Sequence, residues 1–276
     1  MRQTRKKAGY YVILWIVSLL FFAPVFWVML SAFKSREDIL SVPPSFAFTP
    51  ILDNFVDLFS RDTFINAFTN SIMISFLAVS IAVIVSFFAA YAFSRFQPKI
   101  TNFMMFILLS IRMVPGAATI VPIFLLYSTL GWVGTYHGLI LFYAMFSIPF
   151  SVWILKGFLD GVSLRYDETA LVNGAGRLNT MFKVILPQVR PGLVAAFIFN
   201  MIFVWNEFLF SFIIGGASVE TMPVTLTTGV FTSAGVDWPF MATMSVFNVM
   251  PLLIALFFFQ KYLLVGMTFG TVRGEV

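Results

Sequence analysis

The stretch that decides the fold runs from Phe68 to Phe93 and reads FTNSIMISFLAVSIAVIVSFFAAYAF, without a charged residue. A helix needs about 20 mostly apolar residues to cross the ~30 Å hydrocarbon core of a bilayer. Lipid cannot hydrogen-bond backbone N–H and C=O groups, so a continuous run of this kind is typical of a helix and not of a β-barrel strand. The sequence therefore predicts a transmembrane helix here.

Five further segments share this length and apolar character. Together they predict an all-α, polytopic membrane bundle of six transmembrane helices in one domain over residues 1–276. The predicted spans are residues 10–31, 68–93, 102–126, 138–155, 192–214 and 240–264. Arg112 and Pro115 interrupt the third span, and Pro251 lies within the sixth.

The composition agrees with a membrane protein. Apolar residues make up 60% of the chain and charged residues 11%, whereas soluble domains carry about 25% charged residues. The chain has no cysteine, which excludes a disulfide framework, a thiolate metal site and a cysteine nucleophile.

The distribution of Lys and Arg predicts the orientation, because cytoplasmic loops are enriched in these residues. With the N-terminus inside, the outer loops hold only Lys34, Arg36 and Arg61. The inner side then holds Arg2, Arg5, Lys6, Lys7, Arg95, Lys99, Lys156, Arg165, Arg177, Lys183, Arg190, Lys261 and Arg273. Both termini are therefore predicted to be cytoplasmic. The net charge of +5 reflects this topology and does not indicate binding of nucleic acid.

Three loops are longer than a helical hairpin needs, since connections in bundles usually take about 2–8 residues. Two are predicted outside, over residues 32–65 and 215–239, and we expect the second to be mobile because it is rich in glycine and polar residues. The third is predicted inside, over residues 156–190, and is called the coupling loop below. The excess length favours a function for residues 215–239. In residues 32–65, a helical stripe fits a helix on the membrane surface and a docking platform equally well; its members are Leu52, Phe55, Val56 and Phe59.

The coupling loop is amphipathic at helical spacing, with apolar residues every three to four positions and polar residues between them. Gly174 and Gly176 interrupt it and predict a bend between two short helices, because glycine weakens a helix interior. The pattern fits a segment that docks on a partner, and it equally fits an interfacial helix on lipid head groups.

A spaced motif lies in this loop: Glu168-Thr169-Ala170, then Gly174, then Ile185-Leu186-Pro187. It resembles the EAA signature of ABC-importer permeases, and it occurs in the last large cytoplasmic loop before two final spans, as the signature requires. The chain departs from the signature at Thr169, at Val172-Asn173 and in the lead-in over residues 162–166.

The resemblance extends over nearly the whole chain, to the smaller permease of maltose-type carbohydrate importers. The matching stretches are Asn70-Ser71, Arg112 to Pro115, Thr135 to Ile140, Trp205 to Phe208, Gln260 to Tyr262 and Gly266 to Gly274. It implies a type I ABC-importer permease fold, a multi-pass location in the bacterial inner membrane and a subunit that is not itself an enzyme.

The resemblance also implies partners: a second permease subunit, two ATP-binding subunits and an extracytoplasmic solute-binding protein that docks on the outer loops and delivers a carbohydrate. The coupling loop then sits in a groove of an ATP-binding subunit. The residues implied in this coupling are Glu168, Thr169, Ala170, Leu171, Gly174, Ala175, Leu178 and Pro187. The chain has no G-x-x-x-x-G-K-[ST] motif, so we expect it to bind no cofactor and the partner subunits to hold ATP and Mg²⁺.

Polar groups at membrane depth are costly and mark candidate sites. The candidates for the substrate path are Arg112, Tyr143, Asn200, Trp205, Asn206, Glu207 and Asn248. Each also has a structural interpretation, as part of an ion pair, an interhelical hydrogen bond or an apolar core. Alternatives to a carbohydrate importer are a permease for a solute such as glycerol 3-phosphate, a secondary transporter or channel, and a membrane enzyme. A single embedded carboxylate without a second acid, histidine or cysteine argues against the enzyme.

Overall fold

The computed structural model describes residues 2–233 and 235–268, and these residues are predominantly helical. This confirms the all-α prediction. The predicted cytoplasmic Arg273, and the end of the matching stretch from residue 269 to residue 274, lie outside the described residues.

The long helices follow the predicted spans closely. Four of them run without a break: α1 (Arg2–Ser31), α4 (Asp62–Arg95), α7 (Tyr136–Asp160) and α13 (Trp238–Thr268). Pro24, Pro149 and Pro251 lie inside α1, α7 and α13. Membrane helices tolerate proline because neighbouring helices and side chains can bond the freed backbone carbonyls.

Two predicted spans are broken in the structure. The third consists of α5 (Thr101–Met113) and α6 (Gly116–Thr129), whose axes differ by 93°. The fifth begins with α11 (Arg190–Trp205), continues through non-helical residues 206–208, and ends in a π-helical turn, Ser211–Gly215. In the described part of the chain, four helices can cross a membrane alone. Up to six spans result if α5 with α6, and Arg177–Gln188 with α11 at 73°, each count as one span.

Shorter elements lie between the long helices. They are α2 (Arg36–Leu40), α3 (Asp53–Ser60), α8 (Arg165–Val172), α9 (Arg177–Asn179), a π-helical turn (Thr180–Ile185), α10 (Leu186–Gln188), α12 (Met222–Thr228), β1 (Phe231–Thr232) and β2 (Gly235–Val236). The strands β1 and β2 form an antiparallel hairpin, with Phe231 opposite Val236.

The chain divides into two compact units. The first comprises residues 1–65 and 225–251. Its core is aromatic: the ring of Phe247 packs edge-on against those of Phe59 and Phe64, with centroids 5.1 and 5.4 Å apart. Asn54 ties α3 to the end of α1, because its side-chain amide donates to the carbonyls of Ala32 and Lys34 at 2.9 Å each.

The second unit comprises residues 66–224 and 252–276. Its core forms where α7 packs against α5 and α11. Gly192 permits the close approach of α11 to α7, because a Cβ atom there would lie 2.5 Å from Cγ of Phe158. Fully buried aliphatic side chains line these contacts, among them Leu139, Leu155 and Ile185.

The outer loop 215–239 is more ordered than its composition predicts. Within the second unit, Ser71 accepts a hydrogen bond from the backbone N–H of Met222 at 2.7 Å, and Asn70 donates to the carbonyl of Glu220 at 2.9 Å. Val219 and Met222 are buried. The expected mobile linker is therefore a folded segment, because side chains of the second span supply hydrogen bonds that the loop lacks on its own.

Candidate functional site

A polar cavity lies in the second unit at the two helix breaks. The first break follows from proline: Pro115 has no N–H to continue a helix, and the preceding residue, Val114, is extended, as residues before proline tend to be. Gly116 opens α6, where a Cβ atom would lie 3.0 Å from the ring of Phe210. The break therefore brings the start of α6 against the segment that follows α11.

Glu207 organises the second break. Its carboxylate accepts hydrogen bonds from the backbone N–H groups of Phe210 at 3.1 Å and Ser211 at 3.2 Å. These N–H groups open a new helical turn and would otherwise have no partner within it. The hydroxyl of Tyr143 donates to the same carboxylate at 2.7 Å. Glu207 is thus the half-buried N-terminal cap of the turn, and this explains a carboxylate at membrane depth.

Arg112 at the end of α5 is held by aromatic rings. The centre of its guanidinium lies 4.4 Å from the ring centroid of Phe203 and 4.5 Å from that of Phe146. One guanidinium nitrogen donates to the carbonyl of Phe146 at 3.4 Å. In the described part of the chain, no carboxylate oxygen lies within 4.0 Å of this guanidinium. A purely structural role for Arg112 would need an ion pair. Cation–π contacts with the two rings hold the guanidinium instead.

Arg112, Tyr143 and Glu207 line one cavity of about 370 Å³. The remaining walls are mostly aromatic and aliphatic, with Val114, Gly116, Phe142, Phe146, Phe203, Leu209 and Phe210. Small-molecule sites have this character, since a few placed polar groups in an apolar cleft orient a ligand. Three of the seven candidates for the substrate path are therefore brought together.

The other four candidates have different surroundings. Asn200 is fully buried, and its amide donates to Ser151 at 2.9 Å and to the carbonyl of Ala196 at 2.8 Å, which joins α11 to α7. Trp205 is buried, with its ring edge-on to Phe68 at 6.1 Å. Asn206 is exposed and donates to the carbonyl of Ile202 at 2.7 Å, which closes α11. Asn248 lies on α13 in the first unit and is half-buried.

The coupling loop has the predicted bend. Gly174 has φ of +85°, a left-handed conformation that favours glycine, and it separates α8 from α9. Leu171 and Leu178, on the two sides of the bend, are 44% and 68% exposed. Ala170 and Ala175 are half-buried, and the other residues of the motif, Glu168, Thr169 and Pro187, are exposed. The segment therefore presents an apolar surface with a carboxylate beside it.

A buried ion pair anchors this loop to the second span, and the sequence analysis missed it. Asp167 on α8 lies 2.9 Å from Nε of Arg95, and both side chains are nearly buried, at 12% and 6% exposure. The hydroxyl of Tyr91 also donates to Asp167 at 2.9 Å. Beside it, Asp160 accepts from Ser94 and Lys156 at 2.7 Å each. Lys156 and Asp160 have the i,i+4 spacing of a helical ion pair, but no local pattern signals the other contacts, since Tyr91 and Asp167 are 76 positions apart.

In the first unit, Arg61 joins residues of the two outer loops. Its guanidinium lies 2.6 Å from Asp57 and 2.9 Å from Asp237, and 4.4 Å from the ring centroid of Phe240. Burial by itself lowers the pKa of Arg61, but the hydrogen bonds and charges of the two aspartates outweigh it and raise the pKa above its ordinary value. The guanidinium thus stays charged at any physiological pH.

The chain is similar to known transport proteins. The family model of the binding-protein-dependent transport system inner membrane component matches residues 82–268. A probable ABC transporter permease protein of Sinorhizobium fredii, y4oR, is 31% identical over 99% of this chain and 97% of its own length. The trehalose/maltose transport system permease protein MalG of Thermococcus litoralis is 29% identical over 94% of each chain.

The fold has a close structural relative. A chain in the crystal structure of a bacterial ABC transporter involved in the import of the acidic polysaccharide alginate superposes with a TM-score of 0.79. The match covers 95% of this chain and 98% of the other, at 18% identity, so it concerns the fold alone. With a family model that covers most of the sequence, the chain belongs to the family of binding-protein-dependent transport system inner membrane components, the permeases of ABC importers.

Proposed function

We propose that this chain is one of two permease subunits of an ABC importer that moves a carbohydrate from a solute-binding protein into the cytoplasm. Membership in the permease family is the observation that carries the proposal. A relative named for trehalose and maltose supports a carbohydrate over glycerol 3-phosphate as the solute.

The proposed topology has six spans with both termini in the cytoplasm. Four unbroken helices, the bent pair of α5 and α6, and α11 support the number, because breaks inside a membrane protein are tolerated where the backbone is buried or lines a cavity. The bias of Lys and Arg toward the inner loops supports the direction. The single permease domain then extends over residues 1–276, in the inner membrane of a bacterium.

The coupling loop is proposed to dock on an ATP-binding subunit. The exposed Leu171 and Leu178 support an apolar groove on the partner, and the exposed Glu168 supports a basic group beside that groove. Thr169, Ala170, Gly174, Ala175 and Pro187 complete the surface. The partner subunits are proposed to hold ATP and Mg²⁺, and this chain to bind no cofactor and to catalyse no reaction itself.

The outer loops are proposed to receive the solute-binding protein. Arg61 supports this assignment because it holds Asp57 and Asp237 together at a partly exposed position.

The substrate path is proposed to pass Arg112, Tyr143 and Glu207. Asn200 and Trp205 support that path structurally, because both are buried in the helix packing around it.

The experiment exchanges the charge of Glu168. We expect Glu168→Lys to leave the complex assembled and to lower ATP-driven uptake more than about tenfold, since breaking a charge pair in an interface costs roughly 2–5 kcal/mol. Uptake of radiolabelled trehalose or maltose is measured in proteoliposomes with all subunits and the binding protein. Lys99→Glu, an exposed charge reversal outside the coupling loop, is the matched control. Wild-type uptake by Glu168→Lys would refute the docking role.

A further inference from the structure

The cavity at the two helix breaks offers a ligand both hydrogen-bond donors, on Arg112, and a hydrogen-bond acceptor, on Glu207. A guanidinium carries five N–H donors. Arg112 uses one nitrogen toward the carbonyl of Phe146, and no carboxylate among the described residues lies within 4.0 Å to occupy the others. The phenyl rings of Phe146 and Phe203 have no oxygen or nitrogen acceptor, so the remaining N–H donors of Arg112 are available to a ligand in the cavity.

Glu207 supplies the acceptor. A carboxylate has about four lone-pair sites on its two oxygens. Oε2 accepts from Tyr143, Phe210 and Ser211, whereas Oε1 accepts only from the backbone N–H of Phe210. The carboxylate is therefore held rigidly by the protein while one oxygen keeps a free lone pair. A fixed acceptor of this kind can orient a hydroxyl group without any rearrangement on binding.

Aromatic side chains form flat apolar walls of the cavity. Phe142 and Phe146 lie nearly parallel, with centroids 6.0 Å apart, and Phe146 and Phe203 do the same at 5.3 Å. A sugar ring has hydroxyl groups at its edge and C–H groups on its faces. It therefore matches a site with a donor, an acceptor and flat apolar walls. One positive and one negative group line the cavity, so the site favours a neutral ring over an anionic one.

We propose that this subunit carries its own sugar-binding site, in which Arg112 donates to ring hydroxyl groups, Glu207 accepts from one, and Phe142, Phe146 and Phe203 form the apolar walls. The volume of about 370 Å³ is near the lower end of small-molecule sites, about 300–1,000 Å³, and suits one ring at a time. The site deepens the proposed function and rests on it. A longer carbohydrate would pass through the site one sugar residue after another.

The test uses the absence of cysteine from the chain. Leu209→Cys introduces one thiol in the wall of the cavity, and Thr129→Cys introduces one at an exposed position at the end of α6, outside the cavity. The full complex, with cysteine-free partner subunits, is reconstituted in nanodiscs and labelled with a small polar methanethiosulfonate reagent. Labelling rates are compared with and without trehalose or maltose at saturating concentration. We expect the sugar to slow labelling of Leu209→Cys and to leave Thr129→Cys unchanged.

A second variant connects protection with Arg112. We expect Arg112→Gln to abolish the protection by sugar and to lower uptake about ten- to hundredfold, as the loss of charge-assisted hydrogen bonds predicts. ATP hydrolysis stimulated by the binding protein should persist. Ser110→Ala, which removes a hydroxyl bonded within α5, is the control for the same helix.

The outcomes separate the site from the function. Uptake of sugar together with equal labelling rates, with and without sugar, overturns the sugar site and leaves the proposed function standing. Protection that persists in Arg112→Gln overturns the role of Arg112. Absence of uptake of both sugars by the parent complex overturns the proposed function for them, and the site with it.

Discussion

Replacing Asp167 by asparagine removes the negative charge that faces Arg95 between α8 and the second span. The shape of the side chain is kept, and its amide oxygen can still accept from Tyr91. Arg95 then stays charged with a side chain that is only 6% exposed. Breaking a buried ion pair by removing one partner costs about 3–5 kcal/mol, because the remaining charge is left uncompensated. We expect a loss of this size in the stability of the second unit.

The same change should weaken coupling. The coupling loop contacts the second span through Asp167. If an ATP-binding subunit docks on this loop as proposed, its displacement of α8 passes to α4 along this contact. We expect the complex that carries Asp167→Asn to hydrolyse more ATP for each sugar molecule imported. The assay measures thermal stability of the purified complex, and the ratio of ATP hydrolysed to sugar imported in proteoliposomes.

A matched variant separates charge from packing. In Tyr91→Phe/Arg95→Met/Asp167→Leu the ion pair and the tyrosine hydroxyl that bonds it are replaced by apolar groups, and a buried ion pair replaced in this way often costs little stability. We therefore expect this variant to be more stable than Asp167→Asn. Two results would contradict a cost from the unpaired charge of Arg95. One is an Asp167→Asn complex as stable and as well coupled as the parent, and the other is an apolar variant that is the less stable of the two.

Two further predictions concern packing and the outer surface. Gly192→Ala should destabilise the complex by about 1–3 kcal/mol in thermal unfolding, because the new Cβ would lie 2.5 Å from Phe158. Gly157→Ala, with no atom within 4 Å of the new Cβ, should not destabilise it, and equal effects of the two changes would contradict the packing argument. Arg61→Ala should reduce the stimulation of ATP hydrolysis by the binding protein and cost only about 1 kcal/mol of stability, because its ion pairs are partly exposed. Arg61→Lys keeps the charge as a control, and full stimulation in Arg61→Ala would exclude a docking role.

The sequence alone determined the membrane helices and the bend of the coupling loop. The bilayer imposes a length and an apolar composition on each span, and both are local properties that a window of residues reveals. The four unbroken helices accordingly follow the predicted ranges. The bend at Gly174 was equally predictable, because glycine weakens a helix interior and adopts the left-handed conformation without steric cost. Orientation rests on loop charge and remains a prediction.

The roles of the polar groups at membrane depth follow from packing between distant parts of the chain. Arg112 was recognised as costly at membrane depth, yet its aromatic partners depend on how α5, α7 and α11 pack. Glu207 caps a new helical turn, which is visible only once α11 ends at Trp205. Arg95 and Asp167 are ordinary charges in the sequence and become an anchored pair through folding. Hydropathy is a sum over neighbours along the chain, whereas hydrogen bonds and ion pairs depend on distances between residues that folding alone brings together.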